Sequence, residues 1–255
     1  MIAARTTRAR RLARHLAVAA LAVGATACGG RGAAQPAPVP AVNMLTEAER
    51  RAGWTLLFDG RTLDGWRAYN GTGPAAGWAV EDGALALVQP RGASDIVTTK
   101  AYANFELALE WRVKPDGPPA NSGIFIRAEE KAGEPIYFSA PEMQVLDDAR
   151  HPDGRSPLTS AGAAYGLYPA IPGVVRRPGE WNAVRIVVRG NAVEQWMNGT
   201  RIASYELGSA EWTGRVRASK FGQWPRYGRA RAGLIGLQEH GSWVAFRNVK
   251  LRVLP

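Results

Sequence analysis

A period of two, repeated along the chain, most limits what it can become. From Phe105 to Val113 the residues Phe105, Leu107, Leu109, Trp111 and Val113 alternate with Glu106, Ala108, Glu110 and Arg112. Successive strand side chains point to opposite faces, so this segment is a strand with one face buried and one wet. Three further segments alternate in the same way but carry reactive polar side chains: Asn121–Arg127, Glu142–Asp147 and Gly236–Gly241. Asn121 and Arg127, Glu142 and Gln144, and Gln238 and His240 each share a face, with Ile124, Ile126, Met143, Val145 and Leu237 on the other. One face of a sheet therefore reads as core and the other as a polar binding trough.

The rest of the chain keeps this character. Thr46 and Glu49 stand at capping-box spacing and predict a short helix from Thr46 to Ala52, ending at Gly53. Beyond Trp54 no long stretch has helical period, and short segments are separated by Gly, Pro, Asn and Asp. Val184–Arg189 and Ala192–Met197 meet at Gly190-Asn191, and Asn198-Gly199 predicts a second tight turn, the pair favoured where both central residues need positive φ. A last strand, Val244–Val253, is expected beside Leu234–Leu237. The expected fold is all-β, a sandwich or barrel of antiparallel sheets with a short N-terminal helix. No internal repeat is visible.

The first residues read as an address rather than as part of the fold. Arg5, Arg8, Arg10, Arg11 and Arg14 precede an apolar run from Leu16 to about Ala25 and then Thr26-Ala27-Cys28, the pattern of a secretory signal over residues 1–27. The run is shorter than the roughly 20 residues a spanning helix needs. Cys28, the sole cysteine, follows small residues as in a bacterial lipobox, although Ala25 stands where such a box more often has Leu; cleavage after Ala27 without lipidation is the plainer alternative. The expectation is an exported protein held by a lipid on Cys28 in the bacterial envelope, on the periplasmic side or the outer membrane. Residues 28–44, small and proline-rich, read as a tether, and residues 45–255 as one domain. Removing the five leader arginines from a net charge of +10 leaves +5, with Lys and Arg scattered among acids. No basic stripe is present, so nucleic acid is not an expected partner.

Eight motifs in order carry a resemblance: Gly53–Gly60, Thr62–Trp66, Asn121–Ile124, Glu142–Asp147, Gly162–Gly166, Pro178–Asn182, Ser219–Phe221 and Gln238–Gly241. Together they resemble the 3-keto-disaccharide hydrolase family, formerly a domain of unknown function, over roughly Leu45 to Leu254. Glu239 departs from the Asp that the family usually has there. The resemblance implies a concanavalin-like jelly-roll sandwich and a substrate glycoside already oxidised to a ketone at C3. Such a ketone acidifies the C2 proton, so a base can form an enolate, the C1 substituent can leave by β-elimination, and water can add. That chemistry needs a base, an enolate stabiliser and an acid.

On this reading His240 is the first candidate for the base, since its ordinary pKa lies near neutrality, and Glu142 the alternative base or the acid. Arg127, Gln144 and Lys220 are candidate donors to the ketone or enolate oxygen, Tyr165 a donor or acid, Asn121 and Gln238 further substrate contacts, and Trp224 a stacking platform for a sugar ring. Plainer readings stand beside these: His240 capping a turn, Glu142 and Arg127 forming a structural ion pair, and Trp111 and Trp181 filling core. No cofactor is expected; Asp147, Asp148, His151 and Asp153 form an acidic cluster where calcium is conceivable but a solvated loop is favoured. A conventional glycosidase with paired carboxylates and a non-catalytic, lectin-like carbohydrate-binding domain are the competing functions. Glu142 and Asp147, five positions apart, should face opposite ways and so make a poor pair.

Overall fold

A computed structural model describes residues 41–255; the leader 1–27, Cys28 and the tether as far as residue 40 lie outside the described residues. Thr46 caps α1 (Glu47–Arg51): its hydroxyl accepts from the Glu49 amide, and the Glu49 carboxylate accepts from the Thr46 amide at 2.8 Å. Thirteen strands follow among the described residues: β1 (Trp54–Leu56), β2 (Trp66–Ala68), β3 (Trp78–Glu81), β4 (Ala84–Leu87), β5 (Ile96–Thr98), β6 (Phe105–Val113), β7 (Asn121–Ala128), β8 (Glu142–Leu146), β9 (Asn182–Arg189), β10 (Ala192–Met197), β11 (Thr200–Glu206), β12 (Leu234–Leu237) and β13 (Val244–Val253). A second helix, α2 (Ala210–Ala218), separates β11 from β12. Only Trp212 of its nine residues is buried, so it has no apolar stripe by which periodicity could predict it. No helix among the described residues is long and apolar enough to cross a membrane.

Pairing is antiparallel throughout and builds two sheets. The larger runs β11-β10-β9-β6-β13-β4-β3, with β1 also on β13; the smaller runs β2-β5-β12-β7-β8. Their inner faces share one core, in which Phe105, Leu107 and Trp111 of β6 and Ile186 of β9 meet Ile124, Ile126, Met143, Val145 and Leu237 of the smaller sheet. The fold is the expected all-β jelly-roll sandwich with its short N-terminal helix. On the outer face of β6, Glu106 pairs with Arg185 and Arg252 and Glu110 with Arg247, which keeps the wet side of the period-two pattern charged. The hairpin at Asn198-Gly199 forms with φ of 49° and 82°, joining Met197 to Thr200.

Two expectations need correction. Val244–Val253 does not lie beside Leu234–Leu237: β13 pairs with β6, β4 and β1 in the larger sheet, while β12 sits between β5 and β7 in the smaller. Residues 238–243 cross from one sheet to the other, a non-local choice that strand patterns alone do not reveal. Trp111 is core, 1% exposed, but Trp181 is only half-buried. The guanidinium of Arg247 lies 4.1 Å and that of Arg112 4.6 Å from its ring centroid, so cations cover it where core side chains were expected.

Candidate active site

The three reactive segments become neighbouring strands. In the order β12-β7-β8, Gly123 pairs with Gln144, Phe125 with Glu142 and Ile124 with Leu237, which sends Glu142 and Gln144 to the outer face of the smaller sheet. The chain beyond β12 is tied to β7 by four bonds: the Gln238 amide donates to Gly123 O at 2.9 Å, Ser122 Oγ donates to Gln238 O at 2.8 Å, and Ser242 Oγ accepts from the Asn121 amide at 2.9 Å and donates to Asn121 O at 3.1 Å. Gln238 is thereby placed beside Asn121. Gly123 makes room at the centre, because a Cβ there would overlap Glu142 Oε1 and stand 2.7 Å from its Cδ.

These side chains line one cleft of about 330 Å³, together with Tyr137, Tyr165, Lys220, Phe221, Trp224 and His240. The short 3-10 turn Ile136–Phe138 covers the neighbouring part of the same outer face, with Ile136 packed on Phe125 and Val97. It also builds an aromatic wall: Trp224 stacks on Phe138 at 4.5 Å and 18°, with Tyr137 at 5.3 Å. Opposite, the Lys220 ammonium lies 4.5 Å from the Tyr165 ring centroid, and the Tyr165 hydroxyl donates to Asp153 Oδ2 at 3.3 Å. His240 is exposed at the mouth.

Glu142 dominates the electrostatics. Burial pushes its carboxyl up to about 8, opposed by a smaller downward pull from Lys220 and reinforced by Asp95 and Asp153. No hydrogen bond within the protein compensates it. Three amide oxygens of the same cleft, Asn121 Oδ1, Gln144 Oε1 and Gln238 Oε1, are buried with no protein partner. Gln144 is held by its other end, donating from Nε2 to Thr159 O at 3.1 Å. Burial and the Asp153 carboxylate raise Tyr165 to about 12. A neutral acid, a nearby ammonium and a ring of orphaned acceptors suit a ligand rich in hydroxyl groups.

The profile of the 3-keto-alpha-glucoside-1,2-lyase-like domain matches residues 53–252. The chain belongs to this family. A Bacteroides thetaiotaomicron protein named 3-keto-disaccharide hydrolase is 36% identical, the match covering 79% of each chain. Two crystal structures from Parabacteroides distasonis, whose descriptions as glycosyl hydrolases are provisional, share the fold. One has a TM-score of 0.76 at 33% identity, covering 84% of this chain and all of that one; the other has 0.61 at 26%, covering 79% and 99%. The family resemblance read from the eight motifs is confirmed.

Of the residues expected in the site, the cleft gathers Asn121, Glu142, Gln144, Tyr165, Lys220, Trp224, Gln238 and His240. Arg127 is the exception. Its φ of 51° and a register shift between β7 and β12 break the alternation, and its guanidinium turns to Ala103 O, at 2.7 and 3.1 Å, and Gly190 O, at 2.7 Å. It forms no ion pair with Glu142, so that plainer reading fails as well. The acidic cluster is spent on turns: Asp147 binds Arg150 at 2.5 Å, Asp148 accepts from the Ala161 amide, and His151 Nδ1 accepts from the Asp153 amide. Among the described residues no three His, Cys, Asp or Glu side chains gather as a metal site. Asp147 lines a different cleft from Glu142.

Sequence reasoning missed Tyr137 and Phe221 in the lining, and Asp95 behind it. Asp95 Oδ1 accepts from the Glu239 amide at 2.8 Å, and the Glu239 carboxylate accepts from the Gly241 amide at 2.6 Å, so both hold the turn that carries His240. Burial pushes Asp95 up to about 6. No motif marks it; its use depends on β5 lying beside β12, which is a property of the sheet order.

Proposed function

We propose that this enzyme cleaves glycosides whose sugar carries a ketone at C3, by elimination across C1 and C2 followed by addition of water. The observation that carries the reading is Glu142: a buried carboxyl raised to about 8, set among three buried amide oxygens that lack partners. Below that value Glu142 is mostly protonated and suits donation to the departing C1 oxygen. His240, at the mouth, takes the C2 proton. As the C2–H bond breaks, its electrons form the C1–C2 double bond by way of the enolate while the C1–O bond leaves with its own pair. Lys220 faces the charge that develops on the C3 oxygen. Water then adds at C1 and a proton returns to C2, so the net change is hydrolysis. The orphaned oxygens of Asn121, Gln144 and Gln238 receive sugar hydroxyl groups, and Trp224 supplies an apolar wall.

The names of the relatives support the substrate class. A conventional glycosidase fits less well, because Glu142 and Asp147 open into different clefts. A signal peptide, a lipid on Cys28 and an envelope location remain part of the proposal on the sequence pattern alone. The test offers the purified protein a 3-keto-glucoside and its unoxidised parent in deuterated water, with Glu142→Gln and His240→Ala alongside. Cleavage of the ketone alone, with deuterium appearing at C2, is expected. Cleavage of the parent without exchange would establish an ordinary glycosidase, and binding without turnover of either a lectin-like domain.

A further inference from the structure

Trp224 borders three clefts, of which the smallest, about 240 Å³, lies toward Phe138 and Arg226. Beyond the one that holds Glu142 lies a second, of about 460 Å³, between α2 and the loop 225–231, lined among others by Trp212, Arg217, Tyr227, Arg229 and Arg231. Its floor is firm: Trp212 and Tyr227 stack at 5.9 Å and 4°, and Gly228 is seated so closely that a Cβ would stand 2.7 Å from the Trp212 ring. Its charge is of one sign. Arg217, Arg229 and Arg231 are exposed, none of the three forms an ion pair among the described residues, and no Asp or Glu lines the cleft. Of the acids that flank the lining in sequence, Glu211 is engaged by Arg215, and Glu206, exposed at the end of β11 beside Leu207, is outnumbered by the three arginines.

A fourth cation stands behind the rim. Arg127 is 3% exposed and bonded only to carbonyls, and one of them belongs to Gly190, next to Asn191 of the cleft lining. Burial and the charge of Arg231 both weigh against its protonated form. Cations gathered without counter-charge raise the local potential, and guanidinium forks match planar oxyanions. We propose that this second cleft receives the leaving group of the substrate and favours leaving groups that carry an oxyanion, a carboxylate or a sulfate. This rests on reading the Glu142 cleft as the site of the keto sugar, and takes Trp224, which lines both clefts, as the boundary that the glycosidic bond spans.

The test compares three 3-keto-glucosides whose phenyl leaving group carries a 4-carboxylate, a 4-sulfate or the neutral 4-methyl ester, with the wild type and the triple variant Arg217→Gln, Arg229→Gln, Arg231→Gln. The expected result is a KM about tenfold lower for an anionic substrate than for the ester, weakened by salt, and lost in the triple variant while the ester's KM moves less than about twofold. The two anionic arms tell carboxylate from sulfate preference. Equal KM values, or a triple variant that changes all three substrates alike, would overturn the inference and leave the proposed reaction intact. If no 3-keto-glucoside turns over, the reaction has failed, and calorimetry with unoxidised 4-carboxyphenyl glucoside decides the cleft by itself. Salt-sensitive binding that the triple variant loses supports it; no binding overturns it.

Discussion

Replacing Glu142 by Gln should destroy activity and stabilise the fold. A carboxyl whose folded pKa stands at about 8 and whose ordinary value is 4.5 binds its proton more tightly in the native state. Stability from that proton is fully present below pH 4.5 and is lost as pH rises toward 8. At about 1.4 kcal/mol per pH unit the loss over this window is roughly 5 kcal/mol. Gln keeps the shape and carries no ionisable proton. Wild type and Glu142→Gln should therefore have similar stability near pH 4.5 and diverge as pH rises, until the variant is ahead by several kcal/mol at pH 8 to 9. For a domain of about 200 residues each kcal/mol is worth about 2–4 °C in Tm, so the gap is easily measured. Asp95, raised to about 6, contributes a slope of the same sign in both proteins and largely cancels in the difference. Urea titrations at half-unit steps from pH 4.5 to 9, followed by fluorescence, supply the curves. Parallel curves would refute the reasoning, because they would mean that Glu142 ionises in the folded protein as it does in water.

Other perturbations separate the roles. If Glu142 donates to the leaving oxygen, kcat/KM on a 3-keto-glucoside falls as pH rises through about 8; a rise there would make it the base. Gly123→Ala forces the carboxyl aside by steric overlap and should lower kcat/KM by about 100-fold with little change in far-UV circular dichroism. Arg127→Met orphans the carbonyls of Ala103 and Gly190 and should cost roughly 2–4 kcal/mol in urea denaturation, while KM for a neutral 3-keto-glucoside stays within about twofold. Asp95→Asn retains an acceptor for the Glu239 amide and should keep most activity, whereas Asp95→Ala, assayed beside it, should lose about tenfold in kcat.

What could be read from residues alone was set by how locally each feature is decided. Alternation is a property of two or three neighbours, so the faces of β6, β7 and β8 were legible, and with them Glu142, Gln144 and Asn121. The helix Glu47–Arg51 was legible because both halves of its capping box lie within four residues. Arg127 shows the limit of the same rule: parity assigns it to the trough, but one residue at φ 51° turns the side chain toward Ala103 and Gly190. Asp95 and Tyr137 were illegible for a different reason, since each reaches the site through pairings or turns remote from any strand that announces chemistry. The placement of β13 in the opposite sheet from β12 belongs to the same class, because backbone geometry permits either partner and only the shared core of Leu237, Ile124, Phe246 and Trp111 decides. Local pattern thus identifies which side chains can do chemistry, and sheet order decides which of them meet; the two agree on Glu142 and Gln144 and part at Arg127. At that parting the arginine that leaves the Glu142 cleft becomes a buried cation bonded to Gly190 O, next to Asn191 of the arginine-lined cleft on the other side of Trp224.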